Sequence, residues 1–258
     1  MSKRKRFILS AIVLSLGFVG IQFVEEAYRY WSILFLSVLT TILFLWSLRE
    51  GLKKNMTLLS LVLPTLFTIG VGLFWFLLPT SVYTRIPIVI FYGLGIYALS
   101  LTMNIYTVSA MRTIALLRAA RGVGFVLSLV TSFLLYDTIL SLKTGLLLRT
   151  VLVFAFSLPV FLQGFWAIPL TREFGKSKKL FPLSLISSLV VTQVSISLFF
   201  WPVTVVVGSL FLTIAVYVLL GLGQAHLEAR LFKQTVGEYL SVGVLVFLGM
   251  LIATRWGG

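Results

Sequence analysis

RTIALLRAARGVGFVLSLVTSFLLYDTILSLKTGLLLR, residues 112–149, decides how the chain is read. Three arginines, Arg112, Arg118 and Arg121, precede an apolar run over 122–142 that carries one acid, Asp137, before Lys143 and Arg149. At about 1.5 Å per residue this run covers a hydrocarbon core of roughly 30 Å. It reads as a membrane-spanning helix with cations at both ends.

The rest of the chain repeats that pattern. Eight further apolar runs lie over 7–24, 31–48, 58–78, 87–105, 148–169, 180–200, 203–222 and 237–254. The stretch 180–222 is too long for one span, and Trp201-Pro202 divides it as a tight hairpin. The run at 87–105 has no charge before Arg112, so the fourth helix is expected to extend past Ile105. Lys3, Arg4, Lys5 and Arg6 before the first run resemble a signal peptide's basic region. Glu25 and Glu26 follow it with no small-x-small cleavage site, and an uncleaved first span is the expectation.

Composition agrees. With 59% hydrophobic and 11% charged residues, the 258-residue chain has too little polar surface to cover a water-soluble globule. The expected fold is all-α: a polytopic transmembrane bundle of about nine spans forming a single membrane domain, N-terminus inside and C-terminus outside. The cations support this order. Lys3 to Arg6, Arg49, Lys53, Lys54, Arg112, Arg118, Arg121, Arg172, Lys176, Lys178, Lys179, Arg230 and Lys233 fall on the inner side. Arg29, Arg85, Lys143, Arg149 and Arg255 fall on the outer, sixteen against five. That bias fits a prokaryotic-type cytoplasmic membrane. The tryptophans Trp31, Trp46, Trp75, Trp166, Trp201 and Trp256 lie near run ends, where interfacial rings anchor.

The net charge of +14 is spread through short loops. It is matched to anionic lipid headgroups, with Arg112, Arg118, Arg121, Lys176, Lys178 and Lys179 as the contacts, and no nucleic-acid partner is expected. There is no cysteine and one histidine, His226, so no thiolate or zinc-spaced histidine pair exists. The acids Glu25, Glu26, Glu50, Asp137, Glu173, Glu228 and Glu238 form no close aspartate pair for Mg²⁺ on a diphosphate. Gly70-Val71-Gly72 and Gly93-Leu94-Gly95 lie inside apolar runs and read as packing glycines. No cofactor is expected and no catalytic constellation is recognisable. An intramembrane lipid-modifying enzyme is the third reading, behind transport and a structural subunit, and needs acids that converge in the fold.

Small and polar residues inside the spans remain. Ser184, Ser187, Ser188, Thr192 and Ser195 share one helical face, with Gln193 elsewhere. Gly124, Ser128, Thr131, Ser132 and Thr138 share another, and Gly237, Ser241 and Gly249 recur at multiples of four. Such faces let helices approach closely, within the chain or against a membrane partner or second copy. The same residues also suit a neutral path for a small or lipid-like substrate, with Asp137, Gln163, Gln193, Ser188 and Thr192 as its candidate polar groups. Asp137 lies opposite the small-residue face of its helix, about 22 Å beyond Gly122, in the outer third of the span. There it is expected to reach Arg149, Arg29, Arg85 or water, because an unpaired charge in lipid costs at least about 2.5 kcal/mol. Pro64 in the third run and Pro159 in the sixth sit in similar Leu/Phe/Trp-rich surroundings, a faint echo of an inverted repeat.

Overall fold

A computed structural model describes residues 2–49, 57–79, 82–109, 116–142, 144–168 and 180–254. Among them are nine α-helices, one for each apolar run: α1 (Lys3–Ile21), α2 (Arg29–Leu48), α3 (Thr57–Trp75), α4 (Val82–Ser109), α5 (Leu117–Ser141), α6 (Leu146–Trp166), α7 (Leu180–Phe199), α8 (Val205–Leu227) and α9 (Lys233–Ala253). Seven, all but α1 and α3, are long and apolar enough to cross a membrane, which marks an integral membrane protein. The first turn of α1 holds Lys3, Arg4, Lys5 and Arg6, leaving only residues 7–21 apolar, and α3 offers Leu59–Trp75. As expected, α4 runs past Ile105, and the 180–222 stretch breaks into α7 and α8 around Trp201-Pro202.

The chain divides into two compact units, Met1–Thr131 and Ser132–Gly258, with the boundary inside α5. In the first unit α1 packs on α2 and α4, and α3 on the same two helices. Hydroxyls stitch this group together. Ser10 and Ser47 lie 2.8 Å apart, Thr41 and Thr65 2.9 Å, Thr40 and Thr68 3.0 Å, and Thr68 and the Tyr92 hydroxyl 3.1 Å. Lipid gives helices no hydrophobic reason to associate, so such bonds and close packing supply the attraction. Rings fill the middle: Phe18 stacks on Tyr92 at 4.8 Å and meets Trp75 edge-on at 5.0 Å. The glycine doublets act at contacts. A Cβ on Gly95 would strike the Phe67 ring, and one on Gly72 would sit 3.1 Å from Ile33.

In the second unit α6 packs on α7 and α8, α7 on α8, and α9 chiefly on α8. Near their C-terminal ends α6 and α8 interlock: a Cβ on Gly164 would meet Leu220 at 2.5 Å, and one on Gly223 would enter the Phe165 ring. The Gln224 side-chain amide donates across this crossing to the Gly164 carbonyl at 3.0 Å. The two units therefore differ in packing, since α1 closes against α4 whereas α9 leans on its neighbour. The helices bearing Pro64 and Pro159 also differ in position, α3 being the third helix of one unit and α6 the first complete helix of the other.

Two expectations about aromatic residues and cations gain detail. Trp75 and Trp166 end their helices, as expected, and both are buried, so their rings pack inside the protein. Arg149, in the same unit as Asp137, does not serve it as an ion-pair partner, and aromatic rings stand beside all three arginines, Arg149, Arg29 and Arg85. Their guanidinium groups lie over the rings of Phe199, Phe76 and Trp75, at 5.6, 5.3 and 5.3 Å. A face of π density satisfies a guanidinium that has left bulk water.

Candidate functional site

Six consecutive residues of α5, residues 134–139, are buried, so this half turns no face outward. Of the most apolar stretch of α5, 61% is buried, against 39% or less in the six other long apolar helices. A position opposite the small-residue face therefore points into protein, and Asp137 is only 6% exposed.

Two neighbouring residues of α5 reach different helices, as the roughly 100° step of an α-helix allows. Tyr136 meets Ser157 of α6 at 2.7 Å; the Ser157 proton serves the Val153 carbonyl at 2.6 Å, so the phenol is the donor. Asp137 meets α8, where the Ser209 hydroxyl donates to its Oδ1 at 3.1 Å. Gly208 permits this approach, because a Cβ there would come to 2.9 Å from Leu140, one turn beyond Asp137. Among the described residues no cation pairs with Asp137. The single Ser209 proton has a second acceptor, the Val206 carbonyl at 3.0 Å. The site is a carboxyl group facing one shared hydroxyl donor.

The serine-rich face of α7 turns inward. Ser184, Ser187, Ser188, Thr192 and Ser195 are all buried. Ser184 donates to the Leu180 carbonyl at 2.8 Å, Ser188 to that of Ser184 at 2.7 Å and Thr192 to that of Ser188 at 2.7 Å. Ser195 Oγ has no partner among the described residues. Gln193 is exposed on the outer face of α7, beside exposed Leu189 and Val190, so it is not grouped with Ser188 and Thr192. Helical periodicity placed it on another face, and burial shows that face to be the outer one.

Gln163 of α6 is 1% exposed, and its side-chain carbonyl oxygen has no partner among the described residues. It lies six residues, about 9 Å of helix, beyond Ser157. The structure thus joins Asp137 to Ser209, while Gln163 and the α7 hydroxyls are buried in the same unit without a hydrogen bond to Asp137. Ser209, Tyr136 and Gln224 escaped the sequence reading. The adjacent Gly208-Ser209 pair, a small residue beside a hydroxyl at the start of α8, was the available signal.

Of the cations expected to meet headgroups, Arg118 is exposed and Arg121 half-buried. Arg112, Lys176, Lys178 and Lys179 lie outside the described residues. His226 is exposed at the end of α8, and Glu228 pairs with Arg230 at 3.7 Å. Among the described residues no group of three His, Cys, Asp or Glu side chains stands close enough to hold a metal ion.

One family model matches residues 9–253, from the second turn of α1 to the last residue of α9. No curated protein and no solved structure matches the chain. With nearly its whole length covered, the chain belongs to the family described as protein of unknown function (DUF5656).

Proposed function

We propose that this chain is a non-enzymatic multi-pass protein that moves or accommodates a small or lipid-like substrate across a prokaryotic-type cytoplasmic membrane. In this reading all nine helices span, the N-terminus lies inside, and the loop cations set the orientation. The observation that carries it is Asp137: a carboxyl group inside a membrane helix, held by one shared serine proton and paired with no cation among the described residues. Ionisable groups are expensive in this setting and mark substrate or ion paths by default. The Gln163 oxygen, without a partner among the described residues, is a second buried acceptor in the same unit, available to a substrate donor. Ser188 and Thr192 complete a neutral lining.

The absence of cysteine makes the test direct, since each introduced thiol reports without background. Single cysteines at Gln163, Ser188, Thr192 and Ser209, in protein reconstituted into liposomes, are expected to react with a membrane-impermeant maleimide. With the reagent supplied on both sides of the membrane, a His226→Cys control at the exposed end of α8 reacts in any case. Protection of all four interior positions while the control reacts overturns the reading.

A second reading, a structural subunit, draws on α9. Only 6% of its most apolar stretch is buried, and Gly237 and Gly249 meet nothing within 4 Å of a Cβ position. Stoichiometric co-purification of a membrane partner, lost on Gly249→Leu, together with a dry interior, would select that reading.

A further inference from the structure

A groove of about 560 Å³ opens outward between α1 and α4 in the first unit. We propose that it binds one anionic phospholipid, with an acyl chain along the groove and the phosphate at Arg4 and Lys5. The groove wall is apolar apart from Ser15 and Tyr97. Its floor exists because residue 93 is glycine: a Cβ there would come to 2.7 Å from Ser15 Oγ, so the two helices touch closely at that level. Ile12, Leu16, Ile90 and Leu94, each more than half exposed, stand along the rim and leave a concave strip between them.

Length and charge choose the occupant. From Ile8 to Leu16 the groove follows α1 for about 12 Å, less than half of a hydrocarbon core of roughly 30 Å. A partner helix crossing the membrane would need a longer track, whereas a lipid chain occupies one leaflet. Arg4 stands one helical turn before Ile8, and Lys5 two turns before Ile12, so both cations cap the same strip. Both side chains are exposed. A phosphodiester at that height meets two cations while its chain lies on apolar surface, and a zwitterionic headgroup gains less from them. The inference requires that α1 lie in the bilayer with its basic turn at the interface, and it is independent of whether any substrate is moved.

The test uses the full chain in mild detergent with dioleoyl phosphatidylglycerol or dioleoyl phosphatidylcholine, read by native mass spectrometry. A phosphatidylglycerol carrying a diazirine in its acyl chain maps the contact. The expected result is one retained phosphatidylglycerol under conditions that strip phosphatidylcholine, with cross-links in residues 8–16 and 89–97. The Arg4→Gln/Lys5→Gln variant is expected to lower retention about tenfold. Ile12→Trp, which fills the groove from its exposed rim, is expected to lose the cross-link with both cations in place. Glycerol phosphate is expected not to compete. Equal retention of the two lipids overturns the proposal, as does unchanged retention in the double variant or cross-linking spread over all helices. Displacement by glycerol phosphate, or a co-purified polypeptide cross-linked in the groove, also overturns it.

Discussion

Ser209 holds Asp137 from across a helix interface at 3.1 Å, with a proton that the Val206 carbonyl, 3.0 Å away, also attracts. Removing the hydroxyl by Ser209→Ala leaves the buried carboxyl group without its donor and is expected to destabilise the protein by about 1–3 kcal/mol. Asp137→Asn behaves differently. Its amide donates to Ser209 Oγ, which frees the serine proton for Val206, so the change in stability is expected to stay below about 1 kcal/mol. Thermal unfolding of the two single variants and the double variant in one detergent measures the coupling, for which about 0.6–1.7 kcal/mol is the range seen between membrane helices. A coupling of zero removes the bond from the account of the site.

Thr68 stands at the centre of the hydroxyl chain in the first unit, between Thr40 and Tyr92, while its own proton has the Pro64 carbonyl 3.0 Å away. Tyr92→Phe leaves Thr68 bonded to Pro64 and is expected to cost about 0.5 kcal/mol. Thr68→Val withdraws a partner from two buried hydroxyls at once and is expected to cost about 1–2 kcal/mol. The order of the two melting temperatures checks this, and a Tyr92→Phe variant less stable than Thr68→Val contradicts it.

Gln163 carries an oxygen with no partner among the described residues, in a site that is 1% exposed. Gln163→Met keeps the length of the side chain and removes the orphaned acceptor, so stability is expected to rise by about 1 kcal/mol. If Gln163 serves a substrate, the same change lowers the impermeant-maleimide reactivity of a cysteine at Ser188, the trade expected where a site keeps an unsatisfied group. Melting temperature and labelling rate of the same preparation separate the two effects.

The nine apolar runs read from the sequence correspond to nine helices because each run is long, holds at most one charged residue and, except at the Trp201-Pro202 hairpin, is separated from the next by a loop cation, a signal that needs no tertiary information. What a uniformly apolar helix does not disclose is which face looks inward. Gln193 and Thr192 are neighbours in sequence, and only the packing of α6 and α8 around α7 makes one exposed and the other buried. Asp137 shows the same limit. Its place opposite a small-residue face was legible, but the enclosure of residues 134–139 on every side was not, because that depends on helices distant in sequence. The stacking of Arg149 over Phe199 is likewise a contact between α6 and the last residue of α7.

Ala229 follows the end of α8 with φ of 59°, in the left-handed region. The Arg230 amide closes that turn by donating to the Ala225 carbonyl at 2.8 Å, which fixes the conformation. A Cβ in this region costs roughly 1–2 kcal/mol, part of which glycine returns through its freer unfolded chain. Ala229→Gly is expected to raise stability by about 0.5–1 kcal/mol, and Ala229→Val to lower it, both read from melting temperatures.

The inward hydroxyls of α7 have one further consequence. Ser184, Ser188 and Thr192 have each given their only proton to the carbonyl one turn back. A hydroxyl so engaged offers a visitor lone pairs and nothing else. At these three hydroxyls the face is chemically a basic one although it bears no charge: they can solvate an ammonium, an alcohol or water through their hydrogens, and they have no proton to give a carboxylate or a phosphate.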